Sequence, residues 1–429
     1  MEKLVALCKR RGIIFPGSEL YGGLSGTWDL GPAGVELARN IKNEWRKAIV
    51  DENENVVELD SSILLNPKVW EASGHIESFT DPLVECKVCH SRIRADHKDQ
   101  IEEHEKTHDQ KVEWTDPKEF NLMFKTYIGP VDSDENVTYL RPETAQGIFI
   151  NFKNVLETSR QKVPFGIAQI GKGFRNEITT GNFLFRVREF EMLELEYFVH
   201  PDAASEVHEE WKEKRLKWYK DLGIQNDNIK LIDLPREDLS HYSKGTAEVH
   251  YNWPFMGWGE LEGIANRGDY DLKVHEKISG RDLKYFDQES NTKYHPYVIE
   301  PSVGVGRAML AFLLDAYYED EKRVVLRLDP RLAPYKVAVF PLLANKEELT
   351  SKAKQVYDTL KKNFKTVYDG RGNIGKRYLA QDEIGTPFCV TIDFDTLEDN
   401  TVTIRDRDTA EQERVKIEEL TDRLSSKIT

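Results

Sequence analysis

Arginine and glutamate side chains with the potential to bind a charged ligand are concentrated between residues 165 and 198 of this 429-residue chain. Arg175 and Glu177 follow one stretch of alternating small and apolar residues, and Arg186 and Arg188 precede a second. Arginine binds phosphate through a planar fork of donors and keeps its charge, so this pattern favours an anion-binding site. The alternative is a ladder of ion pairs on a solvated sheet, which contributes little to stability.

Carboxylates follow these arginines and recur further along the chain. The second stretch carries Glu191, Glu194 and Glu196. Glu300 opens the segment EPSVGVGR, in which Gly304 and Gly306 allow the backbone to approach a ligand and Arg307 enters the first turn of an apolar helix. A Gly-x-Gly turn alone usually marks tight packing, so only the combination with Arg307 and Glu300 indicates a charged substrate.

A polar insertion over residues 85–119 carries a possible metal site. Cys86 and Cys89 are separated by two residues, and His104 and His108 follow with a spacing in the range of Cys2His2 zinc sites. The alternative is that these are ordinary polar residues of a solvated segment. The sequence leaves both interpretations open.

The elements that must position these residues can be read from periodicity. Alternation predicts two strands, 166–174 and 190–198, joined by a loop that contains a Thr-Thr-Gly-Asn turn. An amphipathic helix is expected over 34–49, a strand over 56–65 and an exposed helix over 202–222.

Alternating strands and helices after residue 335 predict a second, α/β domain, with the boundary at 331/332. We expect strands over 336–340, 364–368, 388–392 and 402–404, and helices over 349–360 and 414–424. Residues 1–331 would then form the first domain.

Composition limits the possible classes of protein. The net charge of −15 argues against a general nucleic-acid coat, and four cysteines do not make a disulfide framework. No apolar run approaches the length of a membrane span, and charges occur too early for a signal peptide. These features predict a cytoplasmic protein without a membrane anchor.

Taken together, the motifs resemble those of class II aminoacyl-tRNA synthetases, and within that class the homodimeric, single-polypeptide glycyl-tRNA synthetase family. The resemblance covers nearly the whole chain. It is carried by Arg11-Gly12, Tyr21-Gly22-Gly23, PKVWEASGH (67–75), RADH (94–97), FNLMF (120–124), RPETAQG (141–147), the 165–198 hairpin, WGELEGIA (258–265) and EPSVGVGR (300–307).

The resemblance implies a fold and an activity. The expected fold is an α+β catalytic domain with a central antiparallel sheet of six or seven strands, followed by an α/β anticodon-binding domain. The implied activity is the ATP-dependent attachment of glycine to tRNA(Gly) through glycyl adenylate, with Mg²⁺ assisting and zinc possible. Helix 34–49 and the strand after it would form the homodimer contact.

The resemblance also implies roles for individual residues. Arg175 and Arg307 would be catalytic. ATP would be bound by Arg175, Asn176, Glu177, Phe185, Arg186, Val187, Arg188, Glu189, Phe190, Glu260, Leu261, Gly304, Val305, Gly306 and Arg307. Glycine would be bound by Arg94, Glu143, Phe190, Glu191, Met192, Leu193, Glu194, Glu300, Pro301, Ser302, Val303 and Gly304. The candidate zinc ligands Cys86, Cys89, His104 and His108 come from their spacing and not from the resemblance. The candidates for anticodon recognition are Arg371, Lys376, Arg377 and Arg405.

Two other functions are weighed against this one. A synthetase for another small amino acid would need a partner for a side-chain hydroxyl, a metal in the pocket or a larger pocket, and no such feature is evident. A non-catalytic, synthetase-like accessory subunit that binds nucleic acid would be expected to lack the arginines and acids named above, and they are present.

Overall fold

The computed structural model describes residues 1–240 and 242–428. The elements up to residue 158 are α1 (Glu2–Arg10), β1 (Ile14–Pro16), β2 (Trp28–Leu30), α2 (Pro32–Arg46), β3 (Val56–Glu58), α3 (Pro67–Ala72), α4 (His75–Ser78), β4 (Thr80–Glu85), β5 (Arg92–Arg94), α5 (Lys98–Glu105), β6 (Lys118–Asn121), β7 (Lys125–Tyr127), β8 (Val137–Tyr139) and α6 (Ala145–Thr158). A π-helical turn, Lys47–Asp51, extends α2.

The elements from residue 165 to 326 include the predicted hairpin. They are β9 (Phe165–Phe174), β10 (Glu189–Val199), α7 (Ala204–Asp221), β11 (Ile229–Asp233), β12 (Gly245–Trp253), β13 (Gly257–Gly268), α8 (Tyr270–Ser279), β14 (Tyr285–Asp287), β15 (Thr292–Tyr294), β16 (Tyr297–Gly304), α9 (Val305–Ala316), β17 (Tyr317–Glu319) and β18 (Val324–Leu326).

The remaining elements alternate between strand and helix. They are β19 (Val337–Pro341), α10 (Glu347–Leu360), β20 (Thr366–Tyr368), α11 (Ile374–Ile384), β21 (Phe388–Ile392), α12 (Phe394–Asp399), β22 (Thr401–Asp406), β23 (Gln412–Lys416) and α13 (Leu420–Ile428).

The central sheet has the order β11-β12-β13-β16-β10-β9-β3, seven strands within the described residues. All neighbours pair antiparallel except β3 and β9, which pair in parallel. The register places Glu194 of β10 opposite Gln169 of β9 and Ser302 of β16. The predicted antiparallel sheet is therefore confirmed, with one parallel strand at its edge.

Side-chain alternation along β10 gives the sheet two different faces. Leu193 and Leu195 are fully buried in the main hydrophobic core, which includes residues of α1, α2, α7 and α9. Met192 and Glu194 point to the opposite face, because successive residues of a strand alternate. That opposite face carries the cavity described below.

Three predicted elements differ from the structure before residue 222. The helix expected at Gly34 begins at Pro32, which suits the first helical position because proline needs no helical donor there. The strand expected over 56–65 ends at Glu58. The helix expected to be exposed, α7, buries Trp211, Arg215 and Tyr219.

The C-terminal elements form a separate sheet in the order β20-β19-β21-β22-β23, with its own hydrophobic core. Strands β19, β20 and β21 are parallel and β22 and β23 are antiparallel. The helix expected over 414–424 is wrong in its first half, since Gln412–Lys416 is a strand whose exposed and half-buried residues alternate. Leu332, assigned by the prediction to this unit, packs in the main core instead.

Helix α1 and the residue after it contact α11 of the C-terminal unit. Arg10 Nε and Arg11 Nε both donate to Glu383 Oε2 of α11, at 2.9 and 2.5 Å. The same helix buries Leu4, Leu7 and Cys8 in the main core. No described helix has both the length and the apolar character of a membrane span.

Candidate active site

A cavity of about 530 Å³ lies on the face of the central sheet to which Met192 and Glu194 point. Its walls come from β10, β12, β13 and β16, from the loop between β9 and β10, and from the edge of the insertion. Of the predicted substrate residues it brings together Arg94, Glu143, Arg175, Glu177, Phe185, Arg186, Val187, Phe190, Met192, Glu194, Glu260, Leu261, Glu300, Ser302, Val303, Gly304, Gly306 and Arg307.

Arginines and aromatic rings line one end of this cavity. The guanidinium of Arg175 lies 5.3 Å from the ring centre of Phe79 and 5.4 Å from that of Phe190, and its Nε donates to the carbonyl of Pro142. The guanidinium of Arg307 lies 4.6 Å from the ring centre of Phe185. These rings hold the charged groups in place and leave the remaining guanidinium donors available for an anion.

Two carboxylates face the arginine end. Arg307 Nη1 donates to Glu260 Oε2 at 2.9 Å. Burial, followed by the charge of Glu260, raises the pKa of Glu248, whose Oε2 lies 2.6 Å from His250 Nε2. Because a cation relieves the repulsion between two carboxylates, and Mg²⁺ prefers oxygen ligands together with phosphate oxygens, this pair fits Mg²⁺.

Buried acids line the other end of the cavity. Glu194 accepts hydrogen bonds from the Thr144 N–H at 2.6 Å and the Ser302 hydroxyl at 2.9 Å, and also from the Thr144 hydroxyl. Arg267 Nη1 donates to both oxygens of Glu300, at 3.0 and 2.9 Å. Glu143 Oε2 lies 3.4 Å from His75 Nε2. More carboxylates than cations converge here.

This excess of negative charge shifts the pKa values of the acids. Burial, together with the nearby Glu194 and Glu143, raises the pKa of Glu300 to about 7 against the opposing effect of Arg267. Burial and Glu143 likewise raise the pKa of Glu194. Burial would also raise the pKa of Glu143, but the neighbouring His75 and Arg267 outweigh it and lower that pKa.

Sequence reasoning missed several members of this end. Glu196 is fully buried beside the cluster, and neither of its oxygens has a hydrogen-bond partner among the described residues. Burial and then Glu300 raise its pKa well above the usual range. Its position two residues after Glu194, on the same strand face, was the available signal. Arg267 and Asp271 carried none, because their pairing at 2.8 Å is set by the β13–α8 turn.

The Cys and His residues of the insertion form a separate cluster. His104 Nε2 lies 3.2 Å from His108 Nε2 and 3.4 Å from Cys89 Sγ, and Cys86 Sγ lies 3.9 Å from His108 Nε2. One ligand atom from each residue lies within 4.8 Å of all the others. The structure therefore brings together the set of donors that the spacing predicts.

Similarity to known proteins agrees with this geometry. Residues 124–317 match the tRNA synthetase class II core domain (G, H, P, S and T), and residues 336–427 match the anticodon binding domain. A glycine–tRNA ligase of Thermobifida fusca (strain YX) is 54% identical over 455 residues, covering 100% of this chain and 98% of its own. That of Streptomyces coelicolor is 53% identical over 453 residues, with the same coverage. The chain belongs to the glycine–tRNA ligase family.

In this member of the glycine–tRNA ligase family, the position of Glu191 corrects the prediction that Glu191 binds glycine. Both oxygens of Glu191 accept from Lys42 Nζ of α2 at 3.0 Å, on the side of the sheet away from the cavity. Leu193 on the same face is in the core. Pro301 likewise does not line the cavity.

Four residues predicted to bind ATP also lie outside the lining of the cavity in this ligase-family chain: Asn176, Arg188, Glu189 and Val305. Asn176 donates its N–H to the carbonyl of Leu122, and Arg188 donates to the carbonyls of Ser25 and Glu177. Glu189 pairs with Lys172 at 2.8 Å. Val305 is buried in the core. These residues support the loop and the sheet around the cavity.

Proposed function

We propose that this chain catalyses the ATP-dependent attachment of glycine to tRNA(Gly) through glycyl adenylate. The observation that carries the proposal is one cavity with arginines at one end and buried carboxylates at the other. Membership of the glycine–tRNA ligase family, with class II core and anticodon-binding domains, supports it. No observation favours a different amino acid or a non-catalytic role.

The arginine end suits the first chemical step. A glycine carboxylate oxygen attacks the α-phosphorus of ATP, the bond to the β-phosphate oxygen breaks, and pyrophosphate leaves. Arg175 is assigned to the α-phosphate and the glycine carboxylate, while Arg307 is assigned to the γ-phosphate and Phe190 to the adenine. Fixed donors that match the developing negative charge lower the barrier without reorganising during the reaction.

Mg²⁺ would be held at this end by Glu260 and Glu248. When bound, the ion offsets negative charge on the phosphates of ATP. Glu260 also keeps Arg307 in position through their 2.9 Å contact.

The acidic end suits the glycine ammonium. Glycine has no side chain to recognise, so selection requires acceptors for the ammonium and walls that exclude a methyl group. We assign Glu143, Glu194, Glu300 and Ser302 to this role, with Arg94 on the carboxylate side. A larger amino acid is rejected by steric clash, so no separate editing site is needed.

The second step moves the glycyl group to tRNA. The 3′-hydroxyl of the terminal ribose attacks the carbonyl carbon of the adenylate, and AMP leaves. We assign the loop 178–185 to the acceptor stem and residues 332–429 to anticodon recognition. Arg371 is exposed and available for this role. Arg405 and Arg377 are buried: Arg405 pairs with Asp382, and Arg377 donates to backbone carbonyls. Lys376 is exposed on α11.

Three further properties belong to the proposal. A homodimer would form through α2 and the edge strand β3. One Zn²⁺ would be bound by Cys86, Cys89, His104 and His108, whose donor atoms converge. A cytoplasmic location stays a prediction.

Replacing Arg175 tests the function. Arg175→Ala should reduce glycine-dependent ATP–pyrophosphate exchange by at least about 100-fold, because it removes the charge opposite the α-phosphate. Lys172→Ala is the matched control, since Lys172 lies on β9 three residues before Arg175, with its side chain exposed and paired with Glu189. Exchange by the unaltered chain with an amino acid other than glycine would contradict the proposed substrate. Normal exchange by Arg175→Ala would contradict the role of Arg175.

A further inference from the structure

The insertion around the Cys and His cluster has little apolar packing to hold it together. Every residue of α5 is at least partly exposed. Val84, Ile93 and Val112 are buried, but none belongs to the hydrophobic clusters found in the described residues. One side-chain contact of α5 is a hydrogen bond from Trp114 Nε1 to Glu105 Oε1 at 2.9 Å. A segment with so small a core needs another source of stability.

The positions of the donor atoms match those of a tetrahedral zinc site. With Zn–N near 2.05 Å and Zn–S near 2.3 Å, a tetrahedron separates two nitrogens by about 3.3 Å and a nitrogen from a sulfur by about 3.5 Å. The corresponding separations here are 3.2 Å between the His nitrogens and 3.4 and 3.9 Å between nitrogen and sulfur. One ion would connect α5 to the turn between β4 and β5.

The hairpin that carries this turn also forms a wall of the active-site cavity. Cys86 directly follows β4, and the turn to β5 is closed by hydrogen bonds from Cys86 N–H to Ser91 and from His90 N–H to Cys86. At the other end of the hairpin, Asp81 of β4 and Arg94 of β5 line the cavity. The two strands are in register from Leu83 opposite Arg94 to Glu85 opposite Arg92.

Arg94 is held from both sides by segments that lead to the metal ligands. Its Nη1 donates to Asp81 Oδ2 at 2.6 Å, and its Nε and Nη2 donate to Asp96 at 3.0 and 2.6 Å. Asp81 lies on β4, the strand that Cys86 directly follows. Asp96 lies in the short turn between β5 and α5, the helix that carries His104. A shift of α5 or of the hairpin turn would therefore move one side of this clamp.

We propose that Zn²⁺ bound by Cys86, Cys89, His104 and His108 fixes the Asp81–Arg94–Asp96 clamp and thereby positions Arg94 in the cavity wall. None of the four donor residues lines the cavity, so the metal would act on the substrates only through the clamp. Arg94 then contacts the glycine carboxylate, and this part rests on the proposed function. The effect of the metal on the clamp does not depend on that function.

The experiment compares the full-length, untagged chain with Cys89→Ser, Arg94→Lys and the control His90→Asn. His90 lies in the same turn with an exposed side chain and φ of 61°, which asparagine tolerates. Bound zinc is measured by elemental analysis, hydrogen exchange is measured over residues 92–105, and the KM for glycine is measured by pyrophosphate exchange. Chelation of the unaltered chain, followed by re-addition of Zn²⁺, serves as a second route in case Cys89→Ser does not fold.

We expect about one zinc per chain in the unaltered protein, His90→Asn and Arg94→Lys, and much less in Cys89→Ser. Loss of zinc should accelerate exchange over 92–105 by about tenfold or more and raise the KM for glycine about three- to tenfold. Re-adding Zn²⁺ should reverse both changes. Arg94→Lys should raise the KM by a similar factor while keeping its zinc.

Three outcomes would overturn the proposal. The first is that the unaltered chain contains no zinc after purification and does not bind added Zn²⁺ or Co²⁺. The second is that zinc loss leaves hydrogen exchange over 92–97 unchanged, which refutes the link between the metal and the clamp even if the chain has no synthetase activity. The third is that zinc loss accelerates hydrogen exchange over 92–97 without changing the KM for glycine in an active enzyme, which refutes the role of Arg94 alone.

Discussion

At the scale of single residues, the two-residue period of strand β10 separates the acids into two groups. Glu194 and Glu196 face the cavity side, and Glu191 faces α2, where it pairs with Lys42. The period predicts which of these residues share a face, but it does not predict which face the substrate cavity occupies. The resemblance named acids from both faces, so only the structure distinguishes Glu194 from Glu191. The pairing of Arg267 with Glu300 of β16 leaves no local signal, because the two residues are 33 positions apart.

The raised pKa of Glu300 predicts a pH dependence of glycine binding. Glu300 has a pKa of about 7 without substrate, and it faces Arg267, Glu194, Glu143, Glu196 and Asp271. An ammonium group binds the ionised carboxylate, so the KM for glycine should rise as the pH falls below 7, by up to about tenfold per pH unit. Pyrophosphate exchange between pH 5.5 and 8 measures this. A flat profile would show that Glu300 does not contact the ammonium.

The same shift has a consequence for stability. The folded-state pKa of Glu300 lies above its ordinary value of 4.5, so the folded chain binds more protons than the unfolded chain between pH 4.5 and about 7. The contribution of Glu300 to the free energy of unfolding therefore falls as the pH rises through this window. Glu300→Gln removes the titrating group. It is therefore the control both for the pH profile of the KM for glycine and for the pH dependence of the free energy of unfolding.

At the scale of elements, helix α7 shows how a charged sequence can conceal a buried face. Its apolar residues form only a loose stripe, and this predicts an exposed helix. The structure buries Arg215, whose guanidinium donates to Glu262 of β13 at 2.6 and 3.1 Å, and Tyr219 donates to the same carboxylate at 2.7 Å. An ion pair with a partner 47 residues away leaves no periodic signal. Strand β23 was missed for a related reason, since its pairing with β22 decides its structure.

Breaking this buried pair should destabilise the protein strongly. Arg215→Met leaves the carboxylate of Glu262 buried without its charged partner, and we expect a loss of about 3–5 kcal/mol in the free energy of unfolding. Lys217→Met on the same helix is the control, because the Lys217–Asp221 pair is exposed and should change stability by less than about 0.5 kcal/mol. Urea unfolding followed by circular dichroism measures both. Equal effects would show that the buried pair is not a main contributor.

At the scale of the whole molecule, the alternation of strands and helices predicted most of the C-terminal unit, because the periodicity within each short segment indicates its element. The boundary is less well predicted, since Leu332 and Tyr335 pack against the main core. Asn40 of α2 donates to the carbonyls of Leu332 and Ala333 at 3.2 and 2.9 Å, so the linker is part of the first unit. Such contacts across 292 residues have no counterpart in local sequence.

Removing the C-terminal unit should separate the two chemical steps. A chain ending at Tyr335 retains every residue that lines the cavity, so glycine-dependent pyrophosphate exchange should remain within about threefold of that of the full chain. Charging of tRNA(Gly) should fall by at least about 100-fold, because anticodon contacts are lost. Circular dichroism checks that the shortened chain is folded. An equal loss of both activities would contradict the proposed division of labour.

The pairing of α1 with Glu383 has a consequence for the order of assembly. During synthesis the first helix leaves the ribosome hundreds of residues before its acidic partner, yet it already has an apolar face that packs in the main core. The residues that contact α11 thus precede it in the order of synthesis by more than 370 positions. Arg10 and Arg11 therefore gain their carboxylate partner only after α11 has been synthesised and packs against them.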